Sequence, residues 1–215
     1  MRCFSTLVIL IASLACGTAR ADVIYDVFFR LPGLGDGLDA TFNVTPGQTF
    51  TGVQAIVRET VTGGSPSALA ASNVNGFGIN IGVTGSNGST GGKVTNTTGG
   101  FAAFSDSPTT FGYFALAGGI APTDLGGGIR EFSLGTLNFT APTTGTTTFS
   151  LMDPNPGLPG DITTFLPGPG AAGLESVGTF RTRSASLAAV PEPSGLLALT
   201  LTAAFACVRR RRSRV

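Results

Sequence analysis

Along much of the chain, apolar and polar residues alternate. Phe77, Ile79, Ile81 and Val83 are interleaved with Gly78, Asn80, Gly82 and Thr84, the period of two expected of a strand buried on one face. Ala40, Phe42 and Val44 repeat the pattern, and so do Val53, Ala55, Val57 and Val61, with Glu59 in one apolar slot. Phe132 and Leu134 share a face, and Leu137 and Phe139 share a face in the opposite phase. That slip predicts a β-bulge near Gly135. Phe149 and Leu151 resume the alternation after the turn Thr143-Thr144-Gly145-Thr146. No interior segment carries a 3.6-residue apolar stripe, although Pro66 to Asn73 suits a single helical turn. Gly/Pro punctuation at 32–37, 46–47, 63–64, 85–92, 118–119 and 126–128 separates these runs at intervals of roughly 8 to 15 residues. The expected fold is all-β: a single antiparallel β-sandwich or jelly-roll-like domain. The Pro/Gly-rich stretch Asp153 to Gly170 is too long for a hairpin and is expected to wrap a sheet edge. No repeat of fixed period is present, which excludes a solenoid or propeller.

At both ends the alternation gives way to short continuous apolar runs. Residues 1–21 read as a secretory signal peptide, with Arg2 ahead of the uncharged stretch Phe4 to Cys16. Ala19 and Ala21 form a small-x-small cleavage pattern, so signal peptidase is expected to cut before Asp22. The thirteen apolar-run residues reach roughly 20 Å as a helix, short of a hydrocarbon core of about 30 Å, so a cleaved signal fits better than an anchor. A lipoprotein site at Cys16 would want an aliphatic residue where Ser13 stands. At the other end, Val190, Pro191, Glu192, Pro193 and Ser194 precede the apolar run 195–208, followed by Arg209, Arg210, Arg211, Arg212 and Arg214. The two prolines hold the backbone extended. The fourteen apolar residues make a short membrane-spanning helix of roughly 21 Å, and the arginines resist translocation, leaving the body on the far side of the membrane. This order of parts over residues 190–215 resembles the PEP-CTERM sorting signal of exported bacterial proteins. The resemblance implies that Pro191, Glu192 and Pro193 are recognised by an exosortase-type membrane enzyme, that insertion in the inner membrane is transient, and that the tail is then removed or exchanged.

Between these ends lies the expected exported domain, residues 22–189. It carries six basic residues and eleven acidic ones, 6 − 11 = −5, whereas the whole chain stands at +1 because of its arginine tail. An acidic body without basic runs is unsuited to nucleic acid or anionic membrane. All three cysteines (Cys3, Cys16 and Cys207) fall in the two end segments, so no disulfide, Fe–S cluster or cysteine–zinc site belongs to the body. The chain has no His, which removes the commonest general base and the Ser–His and Cys–His nucleophile pairs. Charged residues make up 12% of the chain, about half the usual share, and the 32 glycines are about twice it, as suits a loop-rich β protein with a neutral surface.

The segments 132–151 and 40–59 resemble the closing and early strands of cohesin-like β-sandwich domains. The resemblance implies that fold; no residue of a dockerin-binding face can be matched, so that role is not implied. The glycine-rich segments 88–94 and 31–38 miss the P-loop and dinucleotide patterns, Val94 and Leu38 standing where Ser/Thr and Gly are needed. Glu59 and Glu131 fall in strands and are expected on solvated faces rather than as a glycosidase pair. Asp36, Asp39, Asp153 and Asp161 lie in carbonyl-rich loops that suit calcium, but none follows the EF-hand pattern. Phe28, Phe29, Phe101, Phe104, Phe111 and Phe114 are expected in the core rather than as sugar platforms. No cofactor, metal or catalytic residue is expected. The sequence points to a non-enzymatic exported protein of the cell surface or extracellular matrix, structural or adhesive in exopolysaccharide or biofilm. The alternatives are a glycan- or protein-binding β-sandwich module and, third, a secreted hydrolase.

Overall fold

The computed structural model describes residues 22–71, 73–95, 101–107, 109–115, 121–152, 163–165 and 173–191. The signal segment with Ala19 and Ala21, the Pro/Gly stretch 153–170 with Asp153 and Asp161 but apart from 163–165, and everything from Glu192 through Val215 lie outside the described residues. No described helix is long and apolar enough to cross a membrane, and the expected spanning segment 195–208 is not among those residues.

Two sheets pack face to face. The first contains β1 (Val23–Leu31), β2 (Gly35–Asp36), β4 (Thr49–Val61), β6 (Ser89–Thr95), β9 (Thr123–Gly126), β10 (Ile129–Thr140) and β13 (Thr179–Thr182). The second contains β3 (Ala40–Val44), β5 (Val74–Gly85), β7 (Phe101–Ser107), β8 (Thr110–Ala115), β11 (Thr146–Met152), β12 (Thr163–Phe165) and β14 (Ser184–Ala189). The order in the first sheet is β13-β1-β4-β10-β6, with β2 against β1 and β9 against β10. In the second it is β3-β14-β11-β5-β8-β7, with β12 against β5. The two short helices are α1 (Ala68–Ala71), inside the segment expected to make one helical turn, and α2 (Leu174–Val177), which the alternation did not signal.

The alternating residues form the layer between the sheets. Tyr25, Val27, Phe29 and Leu31 of β1 face Phe149, Leu151, Ala185 and Leu187 of the second sheet, and all are buried. Phe139 makes an edge contact with Phe29 at 4.8 Å between centroids and stacks on Phe149 at 4.0 Å, joining the sheets through three rings. Such pairs add about 0.5–1.5 kcal/mol each beyond the burial of their area. The bulge expected near Gly135 is present: pairing with β4 jumps from Ser133–Ile56 to Gly135–Ala55, so β10 carries an extra residue. Gly135 has φ of 149°, which a side chain would resist. A second jump, from Leu137–Val53 to Phe139–Phe50, puts an extra residue in β4, where Gly52 has φ of 72°.

Two strand pairs depart from the expected antiparallel pattern. The chain runs from β13 straight into β14, and at the crossing Arg183 donates its backbone N–H to Val27 O at 2.8 Å. One unreversed segment thereby serves both sheets, parallel to β1 in the first and parallel to β3 in the second. The entry at Asp22 and the exit at Val190 consequently lie at opposite ends of the sandwich. Thr62 N–H donates to Asp22 O at one end, and Val190 N–H donates to Val44 O at the other.

Candidate functional site

The outer face of the first sheet gathers most of the charge of the described body. Because successive strand residues point to opposite faces, Asp26, Phe28 and Arg30 of β1 turn outward while Tyr25, Val27 and Phe29 fill the core. Register then lays Arg181, Asp26, Arg58 and Glu131 side by side across β13, β1, β4 and β10, alternating in sign. Arg181 donates to both oxygens of Asp26 at 2.9 and 2.8 Å. Arg183 reaches the same carboxylate at 2.9 Å and Asp39 at 2.7 Å.

A second cluster sits one step along the strands. Arg30 donates Nε to Asp36 at 2.6 Å and grips Glu131 through both terminal nitrogens at 2.9 and 2.8 Å. Arg58 donates Nε to Glu131 at 2.7 Å and Nη2 to Asp36. Beneath them Phe28 is fully buried, with the Arg58 guanidinium 4.7 Å and that of Arg30 5.8 Å from the ring centroid. Phe28 is therefore not in the core between the sheets with Phe29; the arginines shield it from water on the opposite face. The side chains of Phe101, Phe104, Phe111 and Phe114 lie outside what the structure describes.

Burial alone would raise the carboxyls of Asp36 and Glu131, but the guanidinium groups of Arg30 and Arg58 outweigh it and hold both below their usual range. Asp39 is also held low, first by the backbone N–H of Ser184 and then by Arg183, with burial opposing. Arg30 is pushed up by its bonds to Glu131 and Asp36.

The solvated-face expectation is overturned for both glutamates. Glu131 is 8% exposed because the two arginines close over it. Glu59 is fully buried, since its place in the β4 alternation points it into the sandwich. There it accepts the Tyr25 hydroxyl at 3.1 Å, the Ser67 hydroxyl, and the N–H groups of Ala68 and Leu69 at 2.8 and 3.3 Å. The carboxylate thus binds the start of α1 to the sheet, while Ser67 Oγ caps that turn by accepting Ala70 N–H at 2.8 Å. Burial, followed by the charge of Glu59, pushes the Tyr25 hydroxyl well up.

Neither described calcium candidate is free for a cation: Asp36 is taken by two arginines, and Asp39 by Arg183 and Ser184. Among the described residues no cluster of three or more His, Cys, Asp or Glu side chains is assembled. The glycine-rich segments are ordinary turn and strand, with Gly33 in the β1–β2 turn and Gly91 and Gly92 within β6.

Two shallow depressions meet at Arg30 and Gln54. One, of about 420 Å³, is lined by Leu31, Pro32, Gly33, Gly35 and Gly52; the other, of about 280 Å³, by Ile56, Thr123, Leu125, Glu131 and Ser133. Apart from Arg30–Asp36 and Arg130–Asp124, each six residues apart, the ion pairs had no local signal in the sequence, their partners lying up to 157 residues apart. The outer face of the second sheet is its opposite in character: Thr148 bonds Ser186 across β11 and β14, and Asn80, Gly82, Ser150 and Ser184 continue an uncharged hydroxyl and amide surface. Of the sorting motif, Val190 and Pro191 are described and exposed, at the end of the last strand.

No family model matches the chain, and no curated protein matches it. Among solved structures it is similar to the sixth cohesin of scaffoldin B from Acetivibrio cellulolyticus, solved with a Cel5 dockerin, at 14% identity and TM-score 0.34, covering 79% of this chain and 99% of that one. It is also similar to the seventh ScaB type I cohesin from Pseudobacteroides cellulosolvens, at 13% identity and TM-score 0.36, covering 79% of this chain and 94% of that one. Likeness at this level carries neither partner nor function across.

Proposed function

We propose that the protein is an exported, non-enzymatic β-sandwich delivered to the cell surface or extracellular matrix by its PEP-CTERM-like tail, where it acts as a structural or adhesive component. The observation that carries this reading is the position of the motif. The last strand closes against both neighbours, Val190 makes the final backbone bond to Val44, and Pro191, which has no N–H, begins the Pro-Glu-Pro triplet. The sorting segment thus starts where the sandwich stops, as a removable address would. The state of the carboxylates supports the non-enzymatic part. Asp26, Asp36, Asp39, Glu59, Asp124 and Glu131 are each bound by arginine, hydroxyl or backbone donors. A general acid needs a raised pKa, and the resolved shifts of Asp36, Asp39 and Glu131 run the other way.

The test is mass analysis of the mature termini, from cells with and without an exosortase. The expected product begins at Asp22 and loses Arg209 to Val215 only when the enzyme is present. An intact tail in both strains overturns the sorting reading. One observation favours a second reading, a binding module for exopolysaccharide or a protein: Leu125 is 54% exposed on the rim of the Arg30–Gln54 depression. Titration with purified exopolysaccharide separates the two; saturable binding lost in Gln54→Ala supports the module, and a flat response leaves the structural role.

A further inference from the structure

We propose that the end of the sandwich around Val190 is a membrane-facing surface, seated on the lipid headgroups for as long as the tail is attached. This rests on the reading of residues 195–208 as the membrane-inserted part of the tail and adds to it an orientation and a contact surface. The strand leading out is bonded to its last donor. Ala189 N–H donates to Gly145 O at 2.9 Å and Val190 N–H to Val44 O at 3.0 Å, so the body has no slack before Pro191. Only four residues separate Val190 from Gly195, the first of the apolar run, and the five steps between them reach at most about 18 Å. The headgroup region on each side of the hydrocarbon core takes up roughly 5–8 Å of that reach. What remains is about one Debye length, too short for the body to rotate freely above the surface.

The surface so placed is built from three turns knitted to one another. Gly47 N–H donates to Pro142 O, Ser86 N–H to Thr146 O, and the side chain of Asn87 clamps Thr143 by two bonds of 3.2 Å. Among the described residues it is also free of charge, Glu192 following in the tail itself. No Asp, Glu, Lys or Arg occurs in 40–57, 60–92, 132–152 or 184–191, the segments that form these turns and the exit. At the opposite end stand Asp22, Asp124 and Arg130. Against anionic headgroups, an acidic body held this close would be repelled through any carboxylate it turned downward. A tip of hydroxyls, amides and glycines meets the headgroups without that repulsion and can bond to their phosphates and water.

The experiment uses the chain from Asp22 to Val215 with Cys207→Ser, in vesicles of phosphatidylcholine and phosphatidylglycerol carrying a quencher on the headgroup. A fluorophore is placed on Thr144→Cys, at the exit end, or on Thr62→Cys, at the other. Both positions are exposed. The ends are roughly 35 Å apart, the length of the extended run from Thr179 to Ala189. Severalfold stronger quenching at Thr144 is expected. Equal quenching, or stronger quenching at Thr62, in protein that floats with the vesicles overturns the orientation while leaving the tail reading intact. Protein that fails to float overturns the tail reading and the orientation with it.

Discussion

At the scale of single residues, Glu59 and Glu131 show what alternation discloses and what it hides. The inward phase of Glu59 is written in Val53, Ala55, Val57 and Val61, but its charge led to the expectation of a solvated face, and the phase proved the better guide. The donors that make burial tolerable, Tyr25, Ser67, Ala68 and Leu69, come from another strand and a loop and leave no local trace. Replacing Glu59 with Ala strands those donors and is expected to cost about 3–5 kcal/mol in urea unfolding. Charge on Asp36, Asp39 and Glu131 has a pH signature whose sign follows from their lowered folded pKa values. Their contribution is complete above the unfolded values of about 4 and disappears as pH falls through the lower folded ones. Melting temperature should therefore hold between about pH 5 and 8 and drop below about pH 4, with a shallower drop in Glu131→Gln. Tyr25 acts in the reverse direction: its raised folded pKa gives stability that is complete below about pH 10 and lost at higher pH.

Elements come next, and β10 is the most informative. Its change of phase between Leu134 and Leu137 announced an extra residue, because a strand that must keep both halves facing one core has no other way to absorb the slip. Gly135 stands at that point with φ of 149°, and Gly135→Val is expected to destabilise the domain by about 1–3 kcal/mol, read as a shift in urea midpoint at unchanged slope. The compensating bulge at Gly52 was hidden, since Phe50 and Val53 read as parts of separate runs. The parallel pairings of β13–β14 were hidden too. Only Arg183, bonded to Val27 and to two aspartates, marks the crossing between sheets, and nothing local distinguishes it from a surface arginine.

For the whole molecule, the continuous β13–β14 segment sets where the ends lie. It fills the second sheet between β3 and β11 and contributes Ala185 and Leu187 to the core. Residues 22–191 alone should then unfold in one cooperative calorimetric transition, whereas a chain ending at Thr182 should lose that transition, having lost a central strand. The same segment carries the exit to the end opposite Asp22, the basis of the membrane-facing orientation.

Local chemistry along the chain was enough to determine the strand-rich class, the alternating core, the Gly135 bulge and the expectation of a cleaved leader and a sorting tail. Each depends on neighbours within a few residues: side-chain phase, turn glycines, or the length and flanks of an apolar run. The tertiary structure alone decided that Arg30, Asp36, Arg58 and Glu131 form one cluster over Phe28, that Glu59 anchors α1, and that the chain leaves opposite its entry. Those outcomes require strands distant in sequence to be brought into register, and the pairing of strands is set by the packing of the whole sandwich.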